Sequence, residues 1–431
     1  MDSSNTFEKM VALLKRRGFV YPSSDLYGGL SGFWDFGPLG VELKNNVKAA
    51  WWGSMVRARE DVVGLDSAII YNRRVWEASG HTENFADPLI ECKKCHSRYR
   101  ADTLKGEKCP NCRAADFTAP KMFNLMFKTY VGPVESEDGL AYLRPETAQG
   151  IFINFQNVLN TTRLKVPFGI AQIGKAFRNE ITTGNFIFRS REFEQAELEW
   201  FCEPKEADKW FKYWQKERIS WFEKLGMAKK NLKFREHEVT ERAHYAVTAF
   251  DIEYQFPWGW GELEGIANRS DYDLKAHNLS YKDEETGREY VPFVVEPSVG
   301  IERSAFAFLL DSYAEDGSGD KKRVILKLHP KLSPYKVAVF PLLANKPDLV
   351  KKAREIFKTL TVNGLMVAWD ARGNIGKRYF SQDEIGTPWC VTVDFTSLED
   401  GSVTVRERDS AKQKRVKIEE LPSYFLKELS R

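Results

Sequence analysis

The sequence predicts a large α+β unit built on an antiparallel sheet, a short metal-organised insertion inside it, and a smaller C-terminal α/β domain. Three observations carry this prediction. Strand-like runs separated by turn signals such as Thr286-Gly287 dominate from about 140 to 303. Four cysteines fall into two C-x-x-C pairs within a polar stretch. From Tyr335 onward, apolar strand runs alternate with helical segments. With a prior of roughly 150 residues per domain, 431 residues leave room for about three such units.

Composition narrows the class. Hydrophobic residues make up 42% of the chain and charged residues 29%, which excludes a disordered chain, a collagen and a disulfide-rich mini-protein. No window approaches the ~18 uninterrupted apolar residues of a membrane helix. The N-terminal MDSSNTFEKMVALLKRRGF has charges breaking its apolar run and no small-residue cleavage site, unlike a signal peptide. These features predict a soluble, cytoplasmic protein with no membrane partner. The formal net charge is only +3. It is unevenly spread: Lys331 to Arg431 holds 18 bases against 13 acids, a net of +5, while the rest carries −2. Attraction to a polyanion is therefore loaded on the last hundred residues.

Along the chain, Gly37-Pro38 is followed by Leu39, Leu43, Val47, Trp51 and Met55 at every fourth position. This spacing predicts a long helix with one apolar stripe and a proline well placed in its first turn. Next come Cys92-x2-Cys95 and Cys109-x2-Cys112, thirteen residues apart. Such knuckles hold zinc tetrahedrally through four thiolates, leaving no open position for catalysis. Two disulfides, or a His96 ligand, are the alternatives, and neither suits a cytosolic chain with a complete four-cysteine spacing. Cys202 and Cys390 read as buried thiols. An insertion over 88–118 is expected here.

The stretch 168–201, FGIAQIGKAFRNEITTGNFIFRSREFEQAELEWF, reads as two antiparallel strands joined by a loop around Thr182-Thr183-Gly184-Asn185. Alternation puts Arg191, Phe193, Gln195, Glu197 and Glu199 on one face, with Gly174, Ala176, Arg178 and Glu180 sharing a face of the first strand. An arginine, an aromatic ring and several carboxylates around small side chains make a poor core. They suit a nucleotide and an ammonium group. Further on, VVEPSVGIERSAFAFLLDSY predicts a strand, a turn at Gly300, and Arg303 heading an apolar helix, where anions bind. Asp316 to Arg323 reads as an exposed loop near a boundary at about 330/331. Beyond it, KVAVFPLL, GLMVAW, WCVTVDF and SVTVR read as strands, 347–362 as a helix, and 418–430 as a closing helix. Lys412, Lys414, Arg415 and Lys417 form a basic run that serves RNA or merely solvates a strand edge.

The Gly-Pro helix, the 168–201 hairpin and the EPSVGIER turn resemble motifs 1, 2 and 3 of class II aminoacyl-tRNA synthetases. Within that class, LRPETAQGIF, FRNEITTG, REFEQAELEWF, GWGELEGIANRSDYDL and EPSVGIER resemble glycyl-tRNA synthetases of the dimeric single-polypeptide type. WEASGHTENFADPLIECKKCHSRYRADTL and GNIGKRYFSQDEIGTPWCVTVDF extend the resemblance over about 5–431. It implies a class II catalytic core over 1–330, the zinc-binding insertion within it, and an anticodon-binding domain over 331–431.

The implied activity is activation of glycine by ATP with Mg²⁺, followed by transfer to tRNA(Gly), in a homodimer. Arg178 matches the arginine bridging the substrate carboxylate and α-phosphate, and Arg303 the motif 3 arginine; these two are the implied catalytic residues. Phe193 matches the ring stacked on adenine, and Glu180 the carboxylate by its amino group. Asn179, Phe188, Arg189, Ser190, Arg191, Glu192, Leu263, Gly300, Ile301 and Glu302 complete the implied ATP-binding stretches, with Glu262 on the Mg²⁺–phosphate side. For glycine, the resemblance implies an ammonium held among Glu146, Glu197 and Ser298, with Glu296 ordering the pocket. Arg100, Phe193, Glu194, Gln195, Ala196, Pro297, Val299 and Gly300 surround it. A synthetase-like paralogue acting as a nucleic-acid-binding or regulatory subunit should have lost some of Arg178, Glu180, Phe193 and Arg303; all four are present.

Overall fold

Alternation in the 168–201 stretch is resolved in the centre of a seven-stranded sheet. A computed structural model describes residues 3–104, 106–243, 245–317 and 323–430. The strands are β1 (Val62–Gly64), β2 (Phe168–Phe177), β3 (Glu192–Cys202), β4 (Leu232–Glu236), β5 (Thr248–Phe256), β6 (Gly259–Ser270) and β7 (Phe293–Gly300). Their spatial order is β4-β5-β6-β7-β3-β2-β1, antiparallel throughout except for β1 beside β2. The predicted parity holds on β3: Ala196, Leu198 and Trp200 enter the main core, whereas Gln195, Glu197 and Glu199 point to the other side. The first strand stops at Phe177, so Arg178 and Glu180 belong to the connecting loop, which turns through Asn185 in the left-handed region.

Among the described residues four helices pack on the core face, one of them Ser3–Arg16 through Met10, Leu13 and Leu14. Helix α1 (Pro38–Trp52) starts at an extended Gly37 with proline in its first turn, and a π-helical turn carries it on to Arg57. Its predicted stripe of Leu39, Leu43, Val47, Trp51 and Met55 is buried within the chain's own core. Helix α2 (Ala207–Lys224) lies inside the region where strands were expected. Its tryptophans and phenylalanines carry strand propensity, but Phe211, Trp214, Arg218, Trp221 and Phe222 fall on one buried helical side. Arg218 there pairs with Glu264 of β6 through bonds of 2.6 and 3.1 Å. Helix α3 (Ile301–Ser312) follows β7 directly and buries most of its length. On the opposite sheet face, short helices over 148–161 cover one end and leave the other open as a cleft.

The C-terminal part has its own core. Strand β8 (Val337–Pro341), helix α4 (Pro347–Val362), strand β9 (Val367–Trp369), helix α5 (Ile375–Asp383), strand β10 (Trp389–Val393), strand β11 (Ser402–Glu407) and strand β12 (Gln413–Lys417) follow in sequence. The sheet order is β9-β8-β10-β11-β12, parallel among the first three and antiparallel at β11 and β12. The basic run is thus an edge strand, and a helix over Leu421–Ser430 closes the chain. Of the loop expected at 316–323, residues 318–322 lie outside the described residues. Asp316 and Gly317 are exposed, but Arg323 is not: its guanidinium is buried against Asp383 at 2.8 Å. Arg406 of the same C-terminal part also holds Asp383, by two bonds of 2.8 and 2.9 Å, so the Arg323–Asp383 pair ties the two cores together.

Candidate active site

Strand register builds the site row by row. Asp251, Gly265, Ser298, Glu197 and Gln172 stand opposite one another across β5, β6, β7, β3 and β2. An adjacent row sets Gly300, Gln195 and Gly174 together. Glycine is required at 174, because a Cβ there would collide with the buried Arg144 guanidinium, which donates to the Lys175 and Ser67 carbonyls at 2.6 and 2.9 Å.

Above these rows lies a cleft lined by Arg178, Glu180, Phe188, Arg189, Phe193, Glu262 and Arg303. The Arg178 guanidinium sits 5.3 Å from the Phe85 ring and 5.4 Å from the Phe193 ring, anchored by Nε donating to the Pro145 carbonyl at 2.9 Å. Arg303 lies 4.4 Å from the Phe188 ring and 3.1 Å from the Glu262 carboxylate. That arginine holds Glu262 below the usual carboxylate range. Beside it, burial and the charge of Glu262 push Asp251 up to about 6, against the pull of His237 at 2.8 Å. Among the described residues, Glu180 Oε2 and Gln195 Oε1 are buried without hydrogen-bond partners. Both point to a ligand that brings its own donors. The cleft therefore offers three arginines, aromatic faces and unused acceptors.

Deeper in, Glu197 is buried and gripped on both oxygens. Oε2 accepts from the Thr147 amide at 2.8 Å and from its hydroxyl, while Oε1 accepts from Ser298 Oγ at 2.7 Å and Gln195 Nε2 at 2.9 Å. Burial, together with the charge of Glu146, still raises its pKa. Glu146 is held well below the ordinary range: burial opposes ionisation, but His81 at 3.3 Å, Arg269 and Arg178 outweigh it. Arg269 bonds Asp273 at 2.7 and 2.9 Å and Glu296 at 3.0 and 3.1 Å. Burial nevertheless lifts Glu296 to about 7, aided by Glu197 and Glu146. The pocket is rich in carboxylates and short of cations, which is the chemistry of an ammonium site.

Other residues in the implied stretches stand elsewhere. Arg191 braces the loop, donating to the carbonyls of Glu180 at 2.8 Å and Ser31 at 2.5 Å. Asn179 is fixed through its amide to the Leu125 carbonyl at 2.7 Å, whereas Ser190 does line the cleft, its Oγ donating to the Glu192 carbonyl at 3.1 Å. Glu192 pairs with Lys175 at 2.6 Å. Ala196, Leu263, Val299 and Ile301 are in the main core, and Pro297 is buried beside them. Glu194 and Glu302 both grip Lys44 of α1, at 2.7 and 2.6 Å, on the core side of the sheet, although Glu302 also borders the cleft. Arg100 is paired with Asp87 at 3.0 Å and Asp102 at 2.7 Å. Sequence reasoning passed over Arg269, Asp273, Thr147, His81 and Asp251. The first two carried a signal, an Arg/Asp pair four residues apart in the quoted GWGELEGIANRSDYDL stretch.

The four clustered cysteines are free, and their sulfurs all lie within 4.8 Å of one another. Cys92 to Cys112 is 3.5 Å and Cys95 to Cys109 is 3.6 Å, too long for disulfides at ~2.05 Å and suited to a shared tetrahedral zinc. His96 is exposed and turned to Glu91 at 3.0 Å, outside the cluster. Among the described residues no helix is long and apolar enough to cross a membrane.

An antiparallel sheet bearing these three motifs, followed by a mixed C-terminal sheet, defines a class II aminoacyl-tRNA synthetase. Residues 132–313 match the tRNA synthetase class II core domain (G, H, P, S and T), and residues 336–428 match the anticodon binding domain. Nearly end-to-end relatives narrow the class. The chain is 53% identical over 434 residues to the glycine–tRNA ligase of Borreliella burgdorferi, covering 98% of this chain and 97% of that one. It is 52% identical over 458 residues to that of Thermobifida fusca, with 99% of each covered. For Alkaliphilus oremlandii the identity is 50% over 464 residues and both chains are fully covered. The chain belongs to the glycine–tRNA ligase family.

Proposed function

We propose that the protein activates glycine with ATP and attaches it to tRNA(Gly). The glycine carboxylate attacks the α-phosphorus in line, a P–O bond forms to the carboxylate oxygen, and the bond to pyrophosphate breaks. The adenylate then acylates the terminal adenosine of the tRNA and AMP leaves. Arg178 is positioned to bridge the substrate carboxylate and the α-phosphate, since one guanidinium fork binds two oxyanions. Phe193 offers the stacking face for adenine, Glu180 a carboxylate oxygen free of hydrogen bonds for the amino group, and Arg303 a cation for the phosphate tail. Glu262, with Asp251 beside it, would hold Mg²⁺, which supplies charge neutralisation of the leaving pyrophosphate. Positioning and electrostatics do the rest.

Glycine has no side chain to hold. Selection therefore reduces to gripping the ammonium through Glu197, Ser298 and Glu146 and leaving no space at the α-carbon, where an added methyl overpacks the site. The observation that carries this reading is the cation-poor carboxylate pocket directly beneath a cleft carrying Arg178 and Phe193. Glycine-dependent ATP–pyrophosphate exchange, with alanine and serine as controls, tests it; no exchange with glycine in folded, metal-replete protein would refute it.

Cys92, Cys95, Cys109 and Cys112 would hold a structural zinc, whose four-thiolate set leaves no place for substrate. One zinc per chain by elemental analysis, reduced in Cys109→Ser, is the expected result. The same reading makes the protein a cytoplasmic homodimer. The exposed Leu26 and Tyr27, each 88% accessible, and Leu30 ahead of α1 supply apolar surface for a second copy. The stripe of α1 does not, being spent on the chain's own core.

A further inference from the structure

One buried acid on the pocket face has no part in the roles above. Glu199 is fully buried, and among the described residues neither of its carboxyl oxygens has a hydrogen-bond partner. Its neighbours follow from register. Glu197 stands opposite Ser298 and Trp200 opposite Val295, which sets Glu199 against Glu296 of β7; on the other side it faces Ile170 of β2. Directly opposed residues of an antiparallel pair have their Cβ atoms ~4.5–5.5 Å apart, within reach of two carboxyl groups.

The charges around Glu199 are mostly of its own sign. Glu197 shares its strand face, Glu296 stands across from it, and Asp273 comes from the short helix after β6. Glu146 and Tyr245 face the same cluster around Arg269. Among the described residues Arg269 is the cation that acts most on Glu199, and it is already committed to Asp273 and Glu296, with the Tyr245 ring 3.6 Å from its guanidinium. A carboxylate at Glu199 would thus be a buried anion with no donor and an anionic neighbour. Taking up a proton costs far less than holding such a charge. Burial and then the charge of Glu296 accordingly raise its pKa well above the usual range.

We propose that Glu199 is a positioning residue of the glycine pocket, a neutral carboxylic acid that donates its proton in a hydrogen bond to Glu296. Held between Arg269 and Glu199, the Glu296 carboxylate keeps one orientation beside the ammonium site and is favoured in its ionised form. A carboxylic acid kept neutral by an apolar or like-charged site is a known way to place a donor where an anion would repel. The proposal rests on the reading that glycine occupies this pocket.

Glycine-dependent pyrophosphate exchange of the full-length protein, followed from about pH 5.5 to 8.5, tests it with two variants. Glu199→Met removes the donor at similar size. It should raise the KM for glycine by about tenfold with little change in the KM for ATP, and move the acid limb of kcat/KM for glycine to higher pH. Glu199→Gln keeps a neutral donor and should recover most of that glycine KM, with the limb near its original position. A glycine KM in Glu199→Gln raised as far as in the methionine variant would overturn the proposal, as would a limb displaced to lower pH in Glu199→Met. Either result would mean that Glu199 acts as a carboxylate. If the methionine variant fails to fold, the glutamine variant decides alone. Absence of exchange in the unaltered protein would instead bring down the reading of the pocket itself.

Discussion

The two faces of β3 use the same residue type to opposite ends. On the core side, Glu194 takes Lys44 at 2.7 Å and Lys48 at 3.1 Å, and Glu302 takes Lys44 at 2.6 Å while accepting the Glu194 amide at 2.8 Å. Burial disfavours the Lys44 ammonium, yet these two carboxylates hold its pKa above the ordinary value. Strand, motif 1 helix and motif 3 helix are thereby tied at one lysine. On the pocket side, Glu197, Glu199, Glu296 and Glu146 outnumber the cations beside them, and Glu197 is satisfied by neutral donors alone. Where a carboxylate finds its cation inside the chain it is structure; where the cation is missing, the proposed substrate ammonium would supply it.

Breaking the pocket side should produce the largest effect. Glu197→Ala removes the acceptor for the ammonium and orphans Ser298, Thr147 and Gln195, a loss of about 3–5 kcal/mol, on the order of 10²–10⁴-fold in kcat/KM for glycine. Its thermal midpoint should stay near that of the parent protein, because a buried charge under like-charge repulsion is being removed. Near-normal activation by a folded variant would take Glu197 out of the pocket. Breaking the other face should reverse the pattern. Lys44→Met leaves the buried Glu302 without its cation and Glu194 with Lys48 alone, and should cost about 3–5 kcal/mol of stability, read from the urea midpoint. Any protein that remains folded should keep its KM for glycine within a few-fold.

Much of this contrast was legible in the sequence, and the limits are physical. Parity alone separated Glu197 from Ala196 because β3 is long and unbulged through that stretch. It could not separate Glu194 from Glu197 in role, since the lysine that claims Glu194 lies 150 residues earlier in the chain (194 − 44). Parity also failed beyond Phe177, where the strand gives way to a loop and side chains no longer alternate. Arg269 was legible only through its local partner Asp273, because Glu296 joins the pair only when β6 and β7 come together. Helix α2 was hidden by aromatic residues whose strand propensity was overridden by packing.

A smaller effect sharpens the same comparison through pH. Glu296 sits at about 7 against an ordinary 4.5. An acid raised in the folded state contributes stability that is fully present below 4.5 and is lost as pH rises through about 7. An arriving ammonium reverses this, because it favours the ionised form and expels the proton. Stabilisation by a fixed glycine concentration should therefore grow as pH rises through about 7, with glycine affinity changing by up to about tenfold per pH unit below it. A glycine-induced thermal shift that is flat from about pH 6 to 8 would show that no proton leaves the pocket. The Lys44 face, already neutralised internally, should contribute nothing to that dependence.

The smallest expected effect lies in the basic edge strand, where the same distinction between committed and uncommitted charge applies. Arg415 is held by Asp394 at 2.6 Å and by Ser402 at 2.9 Å, and Lys417 donates to the Asp400 carbonyl at 2.7 Å. Lys414 lies 4.3 Å over the Tyr424 ring, which leaves its charge unneutralised. The Lys412 side chain makes no ion pair among the described residues. Of the four, Lys412 and Lys414 are the ones with charge to spend on a phosphate backbone. Replacing both with alanine should raise the KM for tRNA about two- to fivefold and lower the salt slope by about 0.7 per lost single-strand contact, with glycine–ATP exchange unaltered. If Arg415→Ala weakened tRNA binding more than the double variant, internal pairing would be a poor guide to function on this strand. The comparison drawn at β3 would then hold only where burial makes an unpaired charge expensive.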